Sequence, residues 1–354
     1  MNITLLTNEL RYTCGVTNHL LQLSNGLSKI KGNKVSIICG GGNGLNRFTN
    51  PDIEVIGDKR FLHDNRSLTS YTSAITFLVK YIIKNKIEIL HSHSHYTANI
   101  AKNASKITRT ETIQTNHGLL KPDGRLKHFN AGRYVAINEH IYEYILKNKI
   151  APKQKISFIR CGIPIPPLMP VKNNSKFKIL AASRFVKEKG LYIFIKAVSK
   201  LHNDIKAKAE FFIAGEGELK TELLKLNKEL GANISFLGSV KDMYGLLSTV
   251  NILVYSSTSD WEGFPAVITE AGANGALIIS SSFKGVSSVI ENNKDGILYK
   301  TGDYEDLVKK LSFVIDKYDR YASFPVKFYE KVCELFPLQK MIDKHVELYK
   351  TYLR

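Results

Sequence analysis

The sequence predicts an α/β protein built as two doubly wound domains of parallel sheet. Three observations carry this expectation. Short apolar runs alternate with amphipathic helical segments almost throughout, which is the pattern of βαβ units. The 354 residues are too many for one ordinary core and suit two domains of average size. A connector, "GIPIPPLMPVKNNSK" at 162–176, places four prolines in nine residues, followed by a polar tail, where a helix cannot form.

In the first half, strands are expected near 2–6, 34–39, 87–91, 111–115, 133–137 and 156–160. Each is a short apolar run of strand length. Helices are expected near 17–30, 70–84, 97–105 and 139–148, where apolar residues recur at helical spacing. The second half repeats the theme. "FKILAAS", "EFFIAG", "NISFLG" and "NILVYSS" read as strands. "GLYIFIKAVSKL", "GELKTELLKLNKEL" and "DMYGLLSTV" read as the helices between them. The C-terminal "LQKMIDKHVELYKTYLR" is an amphipathic helix with no strand beside it, expected to pack at the domain junction. The domains are therefore drawn as 1–168, 169–335 and a terminal helix segment 336–354. A hinge between two such sheets makes a cleft, and ligands of such sheets bind at the carboxyl ends of the strands.

With 44% apolar and 23% charged residues the chain has the profile of a soluble globular protein. Its N-terminus, "MNITLLTNEL", lacks the basic and long apolar regions of a signal peptide. Its most apolar helical stretch, "ITFLVKYIIK", is short and interrupted by Lys80, so no transmembrane helix is expected. Cys14, Cys39, Cys161 and Cys333 are far apart, with no metal or redox spacing, which fits a reducing cytosol. The net charge of +18 is uneven: residues 1–168 carry 23 Lys and Arg against 10 Asp and Glu, and residues 169–354 carry 27 against 22. A basic half of this kind suits an anionic membrane surface or simply a solvated Lys-rich exterior. No nucleic-acid module is recognisable, so nucleic acid is not an expected partner.

The chemistry concentrates in "EGFPAVITEAG" (262–272). Pro265 suits the first position of a helix. Free amides at that start can meet an anion or polar ligand, and Gly263 lets the ligand approach the backbone. Glu262 stands just before the helix and Glu270 one to two turns in. Carboxylates only accept hydrogen bonds, so this pair suits a ligand rich in hydroxyls, such as a ribose and a sugar ring. Cations for phosphates are available in "SRFVKEKG", where Arg184 and Lys189 follow a strand. His91, His93 and His95 alternate and would share one face of a strand, but no carboxylate or cysteine completes a ligand set, so no metal is expected there. The glycines of "GGGNG" (40–44) lack the order of a dinucleotide fingerprint.

These residues resemble the retaining glycosyltransferases of family 4, with the two-domain GT-B fold. The likeness covers nearly the whole chain and is densest over 178–300. It rests on a Glu, seven residues and a Glu within "EGFP…EA", and on the Arg and Lys of an "R…KG" loop. The resemblance implies two Rossmann-like domains facing each other across a cleft, with the C-terminal helix crossing back to the first. It implies that Arg184 and Lys189 hold the donor diphosphate, together with the amide near Gly15 of "CGVTNH". It assigns Glu270 to the ribose. Glu262 and the stretch Gly263, Phe264, Pro265 and Ala266 fall to the transferred sugar, and the loop Gly238, Ser239 and Val240 to the base side. His117 of "QTNHG" is implied to point at the transferred sugar; it and Glu262 are the candidate catalytic residues, positioning the sugar rather than exchanging protons.

Several positions depart from the family pattern. Cys14 replaces the first glycine of a pair, Ser288 stands where a glutamate is common, Ala276 replaces a proline, and "RCGIPIP" replaces "NGID". The implied activity is retaining transfer from a nucleoside-diphosphate sugar, UDP-linked, to a glycan or lipid-linked acceptor of cell-surface polysaccharide or lipopolysaccharide synthesis. No cofactor or metal is needed. The setting is cytoplasmic, with attachment to the inner membrane face through the basic first domain. A sugar-nucleotide epimerase and a non-catalytic sugar-nucleotide-binding protein are the alternatives.

Overall fold

The computed structural model describes residues 1–12, 14–119, 131–260 and 262–353. It divides into two compact units, residues 1–162 with the C-terminal helix, and Ile163–Pro337.

In the first unit the strands are β1 (Asn2–Thr7), β2 (Lys34–Cys39), β3 (Ile53–Gly57), β4 (Ile89–Ser92), β5 (Glu111–Asn116), β6 (Arg133–Ala136) and β7 (Ile156–Phe158). They form one parallel sheet in the order β3-β2-β1-β4-β5-β6-β7. Its helices are α1 (Gly15–Ser28), α2 (Leu68–Asn85), α3 (His95–Thr108) and α4 (Glu139–Lys147). Helices cover both faces, so β1 and β2 are buried along almost their whole length and read as continuous apolar runs. Ile3, Leu5, Leu20 and Ile37 fill one layer, and Leu6, Ile38, Leu78 and Leu90 the other. Side-chain caps start α2 and α4: Ser67 accepts from the Ser70 amide at 3.0 Å, and Asn138 from the Ile141 amide at 2.8 Å.

The second unit holds β8 (Phe177–Ala182), β9 (Ala209–Ala214), β10 (Ser235–Gly238), β11 (Ile252–Tyr255), β12 (Leu277–Ser281) and β13 (Ile297–Tyr299). They are parallel in the order β10-β9-β8-β11-β12-β13. Among the described residues the helices that accompany them are α5 (Leu191–Lys200), α6 (Asn203–Ala207), α7 (Lys220–Glu229), α8 (Met243–Thr249), α9 (Ala266–Ala273), α10 (Tyr304–Asp316) and α11 (Ser323–Leu335). In each sheet the winding direction reverses next to the first strand, between β1 and β4 and between β8 and β11. Ligands of open α/β sheets bind at these reversal points.

The last helix, α12 (Leu338–Tyr352), belongs to the first unit. It buries Met341, Ile342, Leu348 and Tyr349 in the core under α1. The contact is so close that a Cβ on Gly26 would lie 2.6 Å from Ile342 Cγ1.

The connector is less free than its composition suggests. Leu168 and Val171 are exposed, as the proline-rich pattern predicts. Lys172, however, turns inward and donates to the carbonyls of Leu247 (3.0 Å), Ser248 (2.6 Å) and Asn274 (2.6 Å). A cation placed on the carbonyl ends of two helices satisfies orphan acceptors and complements both dipoles. Lys172→Met should therefore cost about 2–4 kcal/mol, because the chain keeps its bulk while buried carbonyls lose their donors. Urea denaturation against Lys176→Met, an exposed control, checks this.

Candidate active site

Arg184 and Lys189 lie in the loop that leaves the carboxyl end of β8, and Ser256 to Asp260 and Glu262 in the loop that leaves β11. These are the two loops that flank the reversal point of the second sheet. Hydrogen bonds zip them together. The Thr258 amide donates to the Glu188 carbonyl at 2.8 Å, Ser256 Oγ to the Lys189 carbonyl at 3.1 Å, and Ser281 Oγ braces the Ser257 carbonyl at 2.6 Å.

The zipper brings Lys189 against Glu262. The Lys189 ammonium pairs with Glu262 Oε1 and donates to the Tyr255 hydroxyl at 3.0 Å. Ser257 Oγ donates to Glu262 Oε2 at 2.8 Å. Both charged side chains are mostly buried, Lys189 15% and Glu262 12% exposed. Burial pushes the Glu262 carboxyl up, but the adjacent Lys189 charge and hydrogen bond, with Ser257 and Tyr255, hold it below the usual range. Burial drives the Tyr255 hydroxyl well above its ordinary value, and the nearby Arg184 charge opposes that rise. The result is a cationic edge: Lys189, held from behind by a carboxylate and a phenol, with the Arg184 charge near that phenol.

The rest of the predicted set in this unit lies just before and on α9, and at the end of β10. Pro265 is the cap of α9 rather than its first residue, so Ala266 begins the helix; the Ala266 amide turns back to the Phe264 carbonyl at 3.0 Å. Gly263 follows Glu262, and the Phe264 ring packs at 5.4 Å on Phe336. Glu270 lies within α9, 6% exposed; burial pushes up the hydroxyl of the half-buried Tyr244 of α8, and the Glu270 charge adds to that rise. Gly238 ends β10 with φ of 65°, and its carbonyl accepts from the Gly215 amide at 2.8 Å; Ser239 is exposed and Val240 half-buried. Gly285 of "KGVSS" abuts this set, since its Cβ would stand 3.1 Å from the Glu262 carbonyl. Ser288, in the place of a common glutamate, donates to the Gly285 carbonyl at 2.7 Å and closes its own turn.

In the first unit, Gly15 opens α1 behind Cys14, with open space where a Cβ would be, so the helix amides there are accessible. His117 follows β5 and hydrogen-bonds His93 through Nε2 at 2.9 Å from His93 Nδ1. One turn into α1, His19 packs edge-on against His117 with ring centroids 4.8 Å apart. His91 is fixed by the Tyr349 hydroxyl (2.6 Å) and Thr115 (2.7 Å), and His345 of α12 by the Met341 carbonyl (2.8 Å). Burial lowers all five imidazoles; His117 falls to about 3 and His345 to about 4. His117 is thus neutral near pH 7 and a weak base, which suits hydrogen bonding better than proton abstraction.

The alternating trio His91, His93 and His95 does not share a strand face. β4 ends at Ser92, Ser94 caps α3, and His95 is its first residue, hydrogen-bonded at Nδ1 to Gln114 at 2.7 Å. The helix cap overrides the strand period. Sequence reading also passed over Tyr255 and Ser257. Their signal was the polar "YSS" at the carboxyl end of an apolar strand.

Two parallel-sheet units, with charged and amide-rich loops at their strand ends, define a nucleotide-binding α/β protein. Comparison with known proteins narrows the class. The model for glycosyltransferase family 4 matches residues 13–165, and that for glycosyl transferases group 1 matches residues 169–329. A UDP-Gal:α-D-GlcNAc-diphosphoundecaprenol α-1,3-galactosyltransferase of Escherichia coli is 26% identical over 80% of this chain and 81% of its own length. An undecaprenol-linked α-1,4-N-acetyl-D-galactosaminyltransferase of Campylobacter jejuni is 33% identical over 48% of this chain and 47% of its own. Among solved structures, Anabaena HepE in complex with UDP-glucose superposes with a TM-score of 0.84 at 16% identity, covering 99% of this chain and all of that one. A glycosyltransferase from Rickettsia africae superposes at 0.81 and 21% identity, covering 100% and 99%. The chain is a GT-B-fold glycosyltransferase, related to the family 4 and group 1 glycosyltransferases that act on nucleotide sugars.

Proposed function

We propose that this enzyme transfers a sugar from UDP, with retention, to a hydroxyl of a lipid-linked glycan in cell-surface polysaccharide synthesis. The observation that carries the donor side is the Lys189 ammonium, held by Glu262 and Tyr255 at the reversal point of the second sheet, with the Arg184 charge near Tyr255. Such a pair of cations neutralises the charge that grows on a departing diphosphate without reorganising at that moment. Glu270 is assigned to the ribose, Gly238 to Val240 to the base side, and Gly263 to Ala266 to the sugar.

Glu262 is a poor nucleophile here, because Lys189 and Ser257 already hold its two oxygens. This favours same-face substitution, in which the departing phosphate oxygen takes the acceptor proton. Each carboxylate oxygen still has a free lone pair for a sugar hydroxyl. In the first unit, the amides at Gly15 are assigned to the diphosphate and neutral His117 to orienting the sugar. The name of the Escherichia coli relative supports a UDP donor, and the names of both relatives support a lipid-linked acceptor.

Thermal melts with UDP- and GDP-sugars, followed by transfer to an undecaprenyl-diphosphate-linked sugar and NMR of the new anomeric centre, test the proposal. A UDP-sugar at about 100 Kd should stabilise the protein by about 2.7 kcal/mol. Preference for GDP-sugars, or an inverted product, would overturn it. Among the described residues no helix is long and apolar enough to cross a membrane. We assign acceptor access to peripheral docking of the basic first half, since each Lys or Arg near an anionic surface contributes about 1 kcal/mol. The protein should then sediment with phosphatidylglycerol vesicles at low salt and be released at high salt; failure to sediment removes this part.

A further inference from the structure

His19 is the feature that the donor chemistry leaves unexplained. Its side chain is buried, and among the described residues neither ring nitrogen has a hydrogen-bond partner. His93 Nε2 beside it is likewise unpartnered. Leaving a buried polar group unpaired costs about 1–3 kcal/mol, and here such atoms gather in one place. His19, His93 and His117 each present one ring nitrogen within 4.8 Å of the others. They come from three separate elements, α1, the end of β4 and the end of β5, so no local turn accounts for their meeting. His91 is committed through both ring nitrogens, whereas His345 is bonded through Nδ1 alone and its Nε2 is a further unpartnered buried atom; the two rings wall the group in, with the His91 and His93 rings 4.4 Å apart.

We propose that His19, His93 and His117 form a binding site for a divalent transition-metal ion, Zn²⁺ or Co²⁺. Three neutral imidazoles are a known donor set for such ions, with metal–nitrogen bonds of about 2.0–2.1 Å. Tetrahedral bonds of that length set the nitrogens somewhat over ~3 Å apart. Small ring rotations therefore close the 4.8 Å group. The bond between His93 and His117 is given up in exchange, and one of the two orphan nitrogens of His19 gains a partner. Among the described residues no carboxylate joins the set, so the fourth position falls to water or an anion. The consequence rests on the reading of His117 as the sugar-orienting residue: a metal on His117 withdraws it, so the ion inhibits transfer.

Co²⁺ titration of the full chain, followed by visible absorption, tests the site. One equivalent should give the intense bands of a tetrahedral ion, and Zn²⁺ should bleach them. His19→Phe should weaken Co²⁺ binding by at least about tenfold. His19→Gln serves if the phenylalanine variant does not fold, and the wild-type titration with Zn²⁺ competition stands without either. Absence of the bands, or unchanged affinity in a folded His19 variant, overturns the proposal. Inhibition is read as the rate with Zn²⁺ relative to the same protein with chelator. If Co²⁺ binds as expected and Zn²⁺ leaves transfer unaffected, the metal site stands and the sugar-orienting reading of His117 falls. If no metal binds while His117→Ala still loses transfer, the reading stands and the metal site falls.

Discussion

Replacing Lys189 with alanine is expected to abolish stabilisation by the donor and to lower kcat/KM by about 10²–10³-fold, the range for loss of one preorganised charge-stabilising donor. The same change reaches the apoprotein. Glu262, 12% exposed, loses the charge that keeps it ionised, and breaking a buried pair costs about 3 kcal/mol or more. The sign of the pH dependence follows from the direction of the shift. In the wild type the Glu262 carboxyl lies below its ordinary value. The pair therefore contributes its full stability above the carboxylate range and loses it as pH falls. In the variant, burial acts without the compensating cation, and the carboxyl rises instead. The stability gap between the two proteins should be widest near neutrality and narrow toward pH 4. Urea melts at several pH values check this, alongside donor titrations. A gap that does not change with pH would show that Glu262 is not held by Lys189. Unchanged donor affinity would remove the assignment of the diphosphate.

Both residues were legible in the sequence, but their contact was not. "EGFP…EA" and "R…KG" each announce polar groups at strand ends, because a glycine, a proline and charges interrupt apolar runs in a way cores do not. Nothing in either segment says that a lysine at 189 meets a glutamate at 262, since that depends on β8 and β11 being neighbours. The strands most legible were β1 and β2, buried on both faces, although β12, equally buried, is not among those expected. Short strands faded: β3 at the edge, half exposed, and β13, three residues long, carry too little pattern to stand out. The histidine cluster failed for two reasons. Ser94 starts a helix where period-two spacing suggested a continuing strand. His19 and His345 reach the site from helices far away in sequence. Capping is local and could have been weighed; the long-range meeting could not.

Gly190→Ala should destabilise the second unit by about 2–4 kcal/mol, a fall of roughly 5–10 °C in the melting temperature of a unit of this size. Two costs add. Gly190 has φ of 60° and ψ of 24°, the left-handed region, where a side chain costs roughly 1–2 kcal/mol. Its Cβ would also stand 2.1 Å from the Ser256 carbonyl oxygen. That oxygen belongs to the main chain of the β11 loop, which Ser256 Oγ and the Thr258 amide tie to Lys189 and Glu188. The methyl can be housed only by prying the two loops apart, and Lys189 is the adjoining residue. Gly231→Ala separates the terms, since Gly231 has φ of 59° and nothing within 4 Å of its Cβ position. It should show the backbone cost alone, about 1 kcal/mol, with donor affinity intact. Gly190→Ala should lose more stability than this and at least about tenfold in donor affinity, because a displacement near 1 Å at a positioning group is expensive. If the two variants behave alike, the close approach of the loops is not what sets Lys189 in place.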